Sequence, residues 1–160
     1  FESALLYPGT CLFEGTNLSE GRGTSAPFEL IGAPYVDGYR FSGYMNGKGL
    51  PGVLFSPAYF TPSTSKYAGE ACEGVHIHIS DMRGFEPVRT GMELLFGFRE
   101  LYPEHFAFLP PLREGGRRSV ELLFGGGGIT KEGAALDSLL EEFAADSREF
   151  AARKEKYHLY

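Results

Sequence analysis

Apolar and polar residues alternate most regularly over residues 74–80. Val75, Ile77 and Ile79 fall on one side of an extended chain and His76 and His78 on the other, because successive strand side chains point to opposite faces. The pattern predicts a strand with one apolar and one imidazole-bearing face. VLFSPAYF, residues 53–60, also has extended character, and Pro57, which lacks an N–H for a ladder, predicts a sheet edge or a bulge. After Asp81 the period turns helical. Phe85, Val88, Met92, Leu95 and Tyr102 share one side, Pro87 suits a first turn, and Pro103 stops the run, predicting a core-facing helix of about five turns. Residues 119–124 predict a short helix that the glycines from Gly125 end. Leu136, Leu140, Phe143 and Phe150 stripe one side of a last helix and Glu141, Glu142, Asp146 and Glu149 the other, while Arg148, Arg153, Lys154 and Lys156 gather toward its C-terminus, as the helix dipole favours. The closing YHLY predicts a short extended tail.

The first half is punctuated by turn residues, in YPGT, EGTNLSEGRGTS and APYVDGYRFSGYMNGKGLPG. That spacing predicts short strands and long shaped loops rather than helices. Strands early and helices late, without a βαβ rhythm, predict an α+β fold: a small mixed or antiparallel sheet with helices packed on one face. The 160 residues suit a single domain, 1–160. No apolar run approaches the roughly 18 residues of a membrane helix. A net charge of −6 argues against nucleic acid as a partner, since that affinity rests on clustered cations. Cys11 and Cys72 are expected as buried thiols. The chain begins at Phe1, without an initiator Met or a signal segment, which predicts a processed or truncated piece.

The densest chemistry lies in FEGTNLSEGRGT, residues 13–24, where Glu14, Thr16, Asn17, Ser19, Glu20, Arg22 and Thr24 alternate with Gly15, Gly21 and Gly23. A turn needs far fewer polar groups. Glycines let a backbone approach a ligand closely, and carboxylate, amide and guanidinium together suit sugar hydroxyls, N-acetyl groups and a ligand carboxylate. The alternative is a loop closed by an ion pair of Arg22 with Glu20 or Glu14. Glu14 and Glu20 also fit the paired carboxylates of a glycosidase, whose mechanism is set by their separation in space. His76 and His78 could share a metal with Glu70, Glu73 or Asp81, but no third ligand stands at a recognisable spacing, so a polar sheet face without metal is expected. Residues 125–128 lack the Gly-Lys-Ser/Thr ending of a phosphate loop and read as a flexible hinge. Among Tyr35, Tyr39, Tyr44, Tyr59 and Tyr67, one or two are expected as exposed platforms for sugar rings.

YPGTCLFEGTNLSEGRGT, PFELIGAPYVD, LPGVLFSPAYFTP, SKYAGEACEGVHIHISD and YHLY resemble the NamZ-type exo-β-N-acetylmuramidases, over the whole chain but only over that family's C-terminal domain. His76 departs from the pattern, and residues 106–128 are shortened or altered. The resemblance implies a Rossmann-like N-terminal domain, absent here, that carries the catalytic glutamates, with the cleft between the two. Glu14 and Glu20 are lesser catalytic candidates. It implies release of N-acetylmuramic acid from the non-reducing ends of peptidoglycan fragments, with muramyl saccharides and the Rossmann-like domain as partners and no cofactor. Glu14, Asn17, Glu20 and Arg22, with Lys66 and Tyr67 of SKYAGE, would form the substrate-binding wall. Arg22 is the first candidate for the lactyl carboxylate, as a two-pronged donor, and Lys66 the second. Alone, the chain would be a poor catalyst; the rival reading is a non-catalytic carbohydrate-binding or structural module.

Overall fold

The alternating segment forms the centre of the sheet. In the computed structural model, which describes residues 1–158, β1 (Leu30–Ala33), β2 (Val53–Phe60) and β3 (Cys72–Ile79) pair antiparallel in the order β1-β3-β2. Ile31 lies opposite Val75 and Phe55 opposite Ile77, so one face collects the apolar side chains. A one-residue slip would turn all of them outward. Ile31, Val75 and Ile77 are fully buried, whereas His76, His78 and Ser56 on the other face are half-buried and Leu54 is exposed.

β2 is an edge strand, as Pro57 indicates, and its open side is covered. Asn46 accepts from the Phe55 amide (3.0 Å) and donates to the Phe55 carbonyl (2.8 Å), occupying backbone groups that would otherwise template association. Asn46 belongs to α2 (Gly38–Gly47). At the opposite edge Ser19 exchanges both backbone hydrogen bonds with Gly32, at 2.8 and 3.1 Å. The polar loop of residues 13–24 is thereby stitched to the sheet.

Five α-helices accompany these strands among the described residues: α1 (Glu2–Thr10), α2, α3 (Pro87–Leu101), α4 (Ser119–Phe124) and α5 (Leu136–Lys154). The first two correct the expectation that the first half contains no helices. In α2 the signal was present: Asp37 caps the helix by accepting from the Arg40 amide at 2.9 Å, yet three glycines in ten residues masked it. In α1, Pro8 and Gly9 mimic a turn, but Gly9 is where the helix crosses α3, facing Gly91 and the Pro87 carbonyl so closely that neither glycine position has room for a Cβ. Packing against α3 overrides local propensity there.

α3 begins at Pro87 as expected and ends at Leu101, so its 15 residues make about four turns rather than five. Phe98 of α3 stacks on Phe41 of α2 with ring centroids 3.7 Å apart, and one contiguous core joins them to Ile31, Phe55, Val75, Ile77, Met92 and Leu95. α4 ends at Gly125 with a left-handed φ of 88°. The expected hinge at residues 125–128 is anchored: Gly127–Thr130 form a 3-10 turn whose Ile129 is fully buried. Within the expected extended tail, His158 is extended. Tyr157 ends a 3-10 turn (Glu155–Tyr157), and residues 159 and 160 lie outside the described residues.

Candidate functional site

The loop holds its shape through backbone-directed side chains. Asn17 donates to the His105 carbonyl (2.7 Å), its Oδ1 accepts from the Ala107 amide (2.9 Å) and the Tyr35 hydroxyl (3.2 Å), and its carbonyl accepts from the Tyr67 hydroxyl (2.7 Å). Asn17 and Tyr67 thus tie the segment to residues 105–107 and to the loop ahead of β3. Thr16 accepts from the Leu18 amide and donates to the Phe13 carbonyl.

Around this frame four charges alternate. The Lys66 ammonium donates to the Phe13 carbonyl (2.7 Å), the Leu18 carbonyl (2.9 Å) and Glu20 Oε2 (2.8 Å), which uses all three of its hydrogens. Glu20, 3% exposed, pairs through Oε1 with Arg22 Nε at 3.2 Å, and Arg22 Nη2 reaches Glu14 at 3.3 Å. Burial pushes the Lys66 ammonium below its ordinary pKa, with Glu20 pulling the other way. The guanidinium lies 4.8 Å over the Phe28 ring, and Glu14 accepts at 3.5 Å from Tyr7, whose ring meets Phe28 edge-on. The network runs from buried to exposed: Lys66 and Glu20 lie inside, while the Arg22 and Glu14 side chains remain 46% and 30% exposed.

Of five guanidinium N–H donors, these pairs engage two, leaving Nη1 and one hydrogen of Nη2 for a ligand. Glu14, Glu20, Arg22 and Lys66 therefore converge, Asn17 and Tyr67 buttress them, and the open chemistry narrows to Arg22 and Glu14. They form a rim; the larger cavities among the described residues, along α3 and α5, have other linings. Phe28 and Tyr7 are participants that the sequence reading did not single out, although both stand in the stretches carrying the family resemblance.

The backbone here is strained. The non-glycine residues with left-handed φ among the described residues are Phe28 (67°), Ser65 (69°) and Tyr67 (58°): one underlies Arg22 and two flank Lys66. Such conformations cost on the order of 1–3 kcal/mol each and concentrate at functional sites. Gly23 shows the same demand, since its φ is 82° and a Cβ there would meet Thr64 backbone atoms at 2.5 and 2.7 Å. The motif's glycine lets the loop before β3 close onto it.

The histidines of β3 have protein partners: His78 Nε2 lies 2.8 Å from Ser56 Oγ and His76 Nε2 3.4 Å from Glu29. Among the described residues no three His, Cys, Asp or Glu side chains come together as a metal site. Burial, then His76, holds His78 below its usual value of 6.5. Burial raises Glu29, but hydrogen bonds from Ser3 and His76 outweigh it and hold the carboxyl below 4.5. In both cases the unfolded chain takes up the proton first as pH falls, so stability is lost on acidification. The His78 contribution disappears from pH 6.5 downward and the Glu29 contribution from pH 4.5 downward. Thermal denaturation followed from pH 8 to 4 is expected to show both segments, and His78→Gln to flatten only the upper one.

Tyr39 and Tyr59 are 68% and 61% exposed with ring centroids 6.5 Å apart, while Tyr35, Tyr44 and Tyr67 are half-buried. Cys11 and Cys72 are buried free thiols, and burial, then Glu70, pushes Cys72 up to about 11.

These features define an α+β domain that presents a strained, half-exposed rim of paired charges. The chain belongs to the family described as the C-terminal part of the exo-β-N-acetylmuramidase NamZ, whose model matches residues 5–160. It is 39% identical to the peptidoglycan β-N-acetylmuramidase NamZ of Bacillus subtilis strain 168, over 99% of this chain and 38% of that protein. Two solved DUF1343 family proteins of Bacteroides fragilis NCTC 9343 share the fold: one with a TM-score of 0.84 at 23% identity, over 99% of this chain and 42% of its own, the other with 0.61 at 24%, over 99% and 41%. The chain thus spans about two fifths of these relatives.

Proposed function

We propose that residues 1–160 form one domain, the C-terminal substrate-cleft domain of a glycoside hydrolase that removes N-acetylmuramic acid from the non-reducing ends of peptidoglycan fragments. An N-terminal Rossmann-like domain forms the other wall and carries the chemistry. The observation behind this reading is Arg22, held by two carboxylates over Phe28 with its outer edge in solvent. N-acetylmuramic acid differs from N-acetylglucosamine by a lactyl carboxylate, which the two terminal nitrogens of a guanidinium can grip in parallel. Glu14 and Glu20 hold that guanidinium in place, and Lys66 neutralises Glu20 from behind. Asn17 and Tyr67 act on substrate through the loop shape they enforce.

The test uses this chain joined in one polypeptide to the N-terminal remainder of the Bacillus subtilis relative. Arg22→Ala is expected to weaken binding of muramyl saccharides ten- to a hundred-fold, the worth of a charge-assisted contact of about 1.5–3 kcal/mol, and to change glucosaminyl binding little. Arg22→Lys restores charge without the fork and recovers only part. Equal losses on both sugars would remove Arg22 from this role. The exposed Tyr39–Tyr59 pair favours a second reading, a carbohydrate-binding module without chemistry; saccharide binding without turnover by the joined protein would support it.

A further inference from the structure

α5 runs for 19 residues with Leu139 as its one buried side chain, and every described residue from 141 onward is exposed. A helix without tertiary cover is marginal in water. Yet its apolar side is continuous: Leu136, Phe143 and Phe150 recur every seventh residue, which keeps them on one side of the helix, and Tyr157 follows in the 3-10 turn beyond it. Phe143, Phe150 and Tyr157 are 38%, 58% and 72% exposed. At the base of the stripe Pro87, Val88, Leu140 and Phe143 line a groove of about 650 Å³ between α3 and α5.

α1 lies between this groove and the charged rim: Pro87 abuts its Gly9, and Tyr7, two residues earlier and so on the other side of the helix, donates to Glu14, which holds Arg22. The homologous structures extend well beyond the part that matches this chain, which covers 42% and 41% of them.

We propose that the α5 stripe and the Pro87–Val88 groove are the surface on which the N-terminal domain of a NamZ-type protein docks. This rests on the two-domain reading above and adds the surface that joins the halves. The charges bias the fit: the first half of α5 carries Asp137, Glu141, Glu142 and Asp146 without a cation, whereas the second half carries Arg148, Arg153 and Lys154 beside Glu149, which pairs with Arg153 at 3.7 Å. The partner face is apolar along its middle and basic toward the α3 end.

The test is amide hydrogen exchange on this chain alone and on the joined polypeptide described above, where linkage makes docking intramolecular and removes the limit of weak affinity. Residues 141–157 are expected to exchange freely in the isolated chain and to slow at least tenfold in the joined protein. Phe143→Glu with Phe150→Glu should abolish that protection. The same two charges at Ala145 and Ala152, on the opposite side of the helix, should leave it intact. Unprotected residues 141–157 in a joined protein whose β3 amides are protected would overturn the proposal. So would a dimeric mass of the isolated chain with α5 already protected, which would assign the stripe to a second copy. Neither outcome bears on the sugar preference of Arg22→Ala, so the two readings fail separately.

Discussion

Replacing Lys66 with methionine is expected to destabilise the fold by about 3–5 kcal/mol, the cost of removing one partner from a buried ion pair. The ammonium answers two backbone carbonyls and Glu20 at once, and methionine fills the space without a donor. The Phe13 and Leu18 carbonyls then lose a partner, and Glu20, 3% exposed, keeps only its contact with Arg22. In a domain of this size the melting temperature should drop on the order of 10 °C. Adding Glu20→Gln removes the stranded charge and should recover part of the loss, because groups in one network are not additive. Equal melting temperatures for wild type and Lys66→Met would show that the network is incidental to stability.

The second large effect lies at the α1–α3 crossing. Gly91→Leu places a branched side chain where a Cβ already overlaps Gly9 backbone, and backbone cannot rotate aside as a side chain can. Leucine gains about 1 kcal/mol in helix propensity over glycine, but overpacking costs about 1–3 kcal/mol, toward the upper end where, as here, the clash is with backbone, so the clash decides the sign. Gly91→Ala should fall between wild type and leucine in a urea denaturation series. Gly9→Ala should destabilise too, and the double alanine variant should cost less than the sum, since one separation relieves both clashes. A leucine variant as stable as wild type would refute the close crossing.

The same crossing explains why part of the fold was legible in the sequence and part was not. β3 declares itself because one face is buried and the other is not, so alternation is written into Val75, His76, Ile77 and His78. α3 declares itself through a deep apolar side and Pro87 at its start. α1 hides because Pro8 and Gly9 read locally as a turn while Gly9 serves the close crossing with Gly91 of α3, far along the chain, and α2 hides because its glycines outweigh a cap that Asp37 supplies in plain sight. The polar loop was legible in part: its acids and guanidinium do converge, while the Asn17 amide turns to backbone. How they divide the work was not, because that depends on Lys66, Tyr67, Phe28 and the His105 carbonyl, which reach the loop only through tertiary structure. Composition cannot separate an Asn17 turned to backbone from one turned to ligand.

The most direct measurement is a nuclear magnetic resonance titration of this chain with two disaccharides, one carrying N-acetylmuramic acid at its non-reducing end and the other N-acetylglucosamine. The muramyl sugar is expected to shift the Arg22 Nε–H resonance and the amides of Glu14, Gly21 and Gly23, with the glucosaminyl sugar leaving them nearly unmoved. Equal shifts with both sugars, or shifts confined to other surfaces while these resonances stay fixed, would contradict the assignment of the rim to an anionic amino sugar.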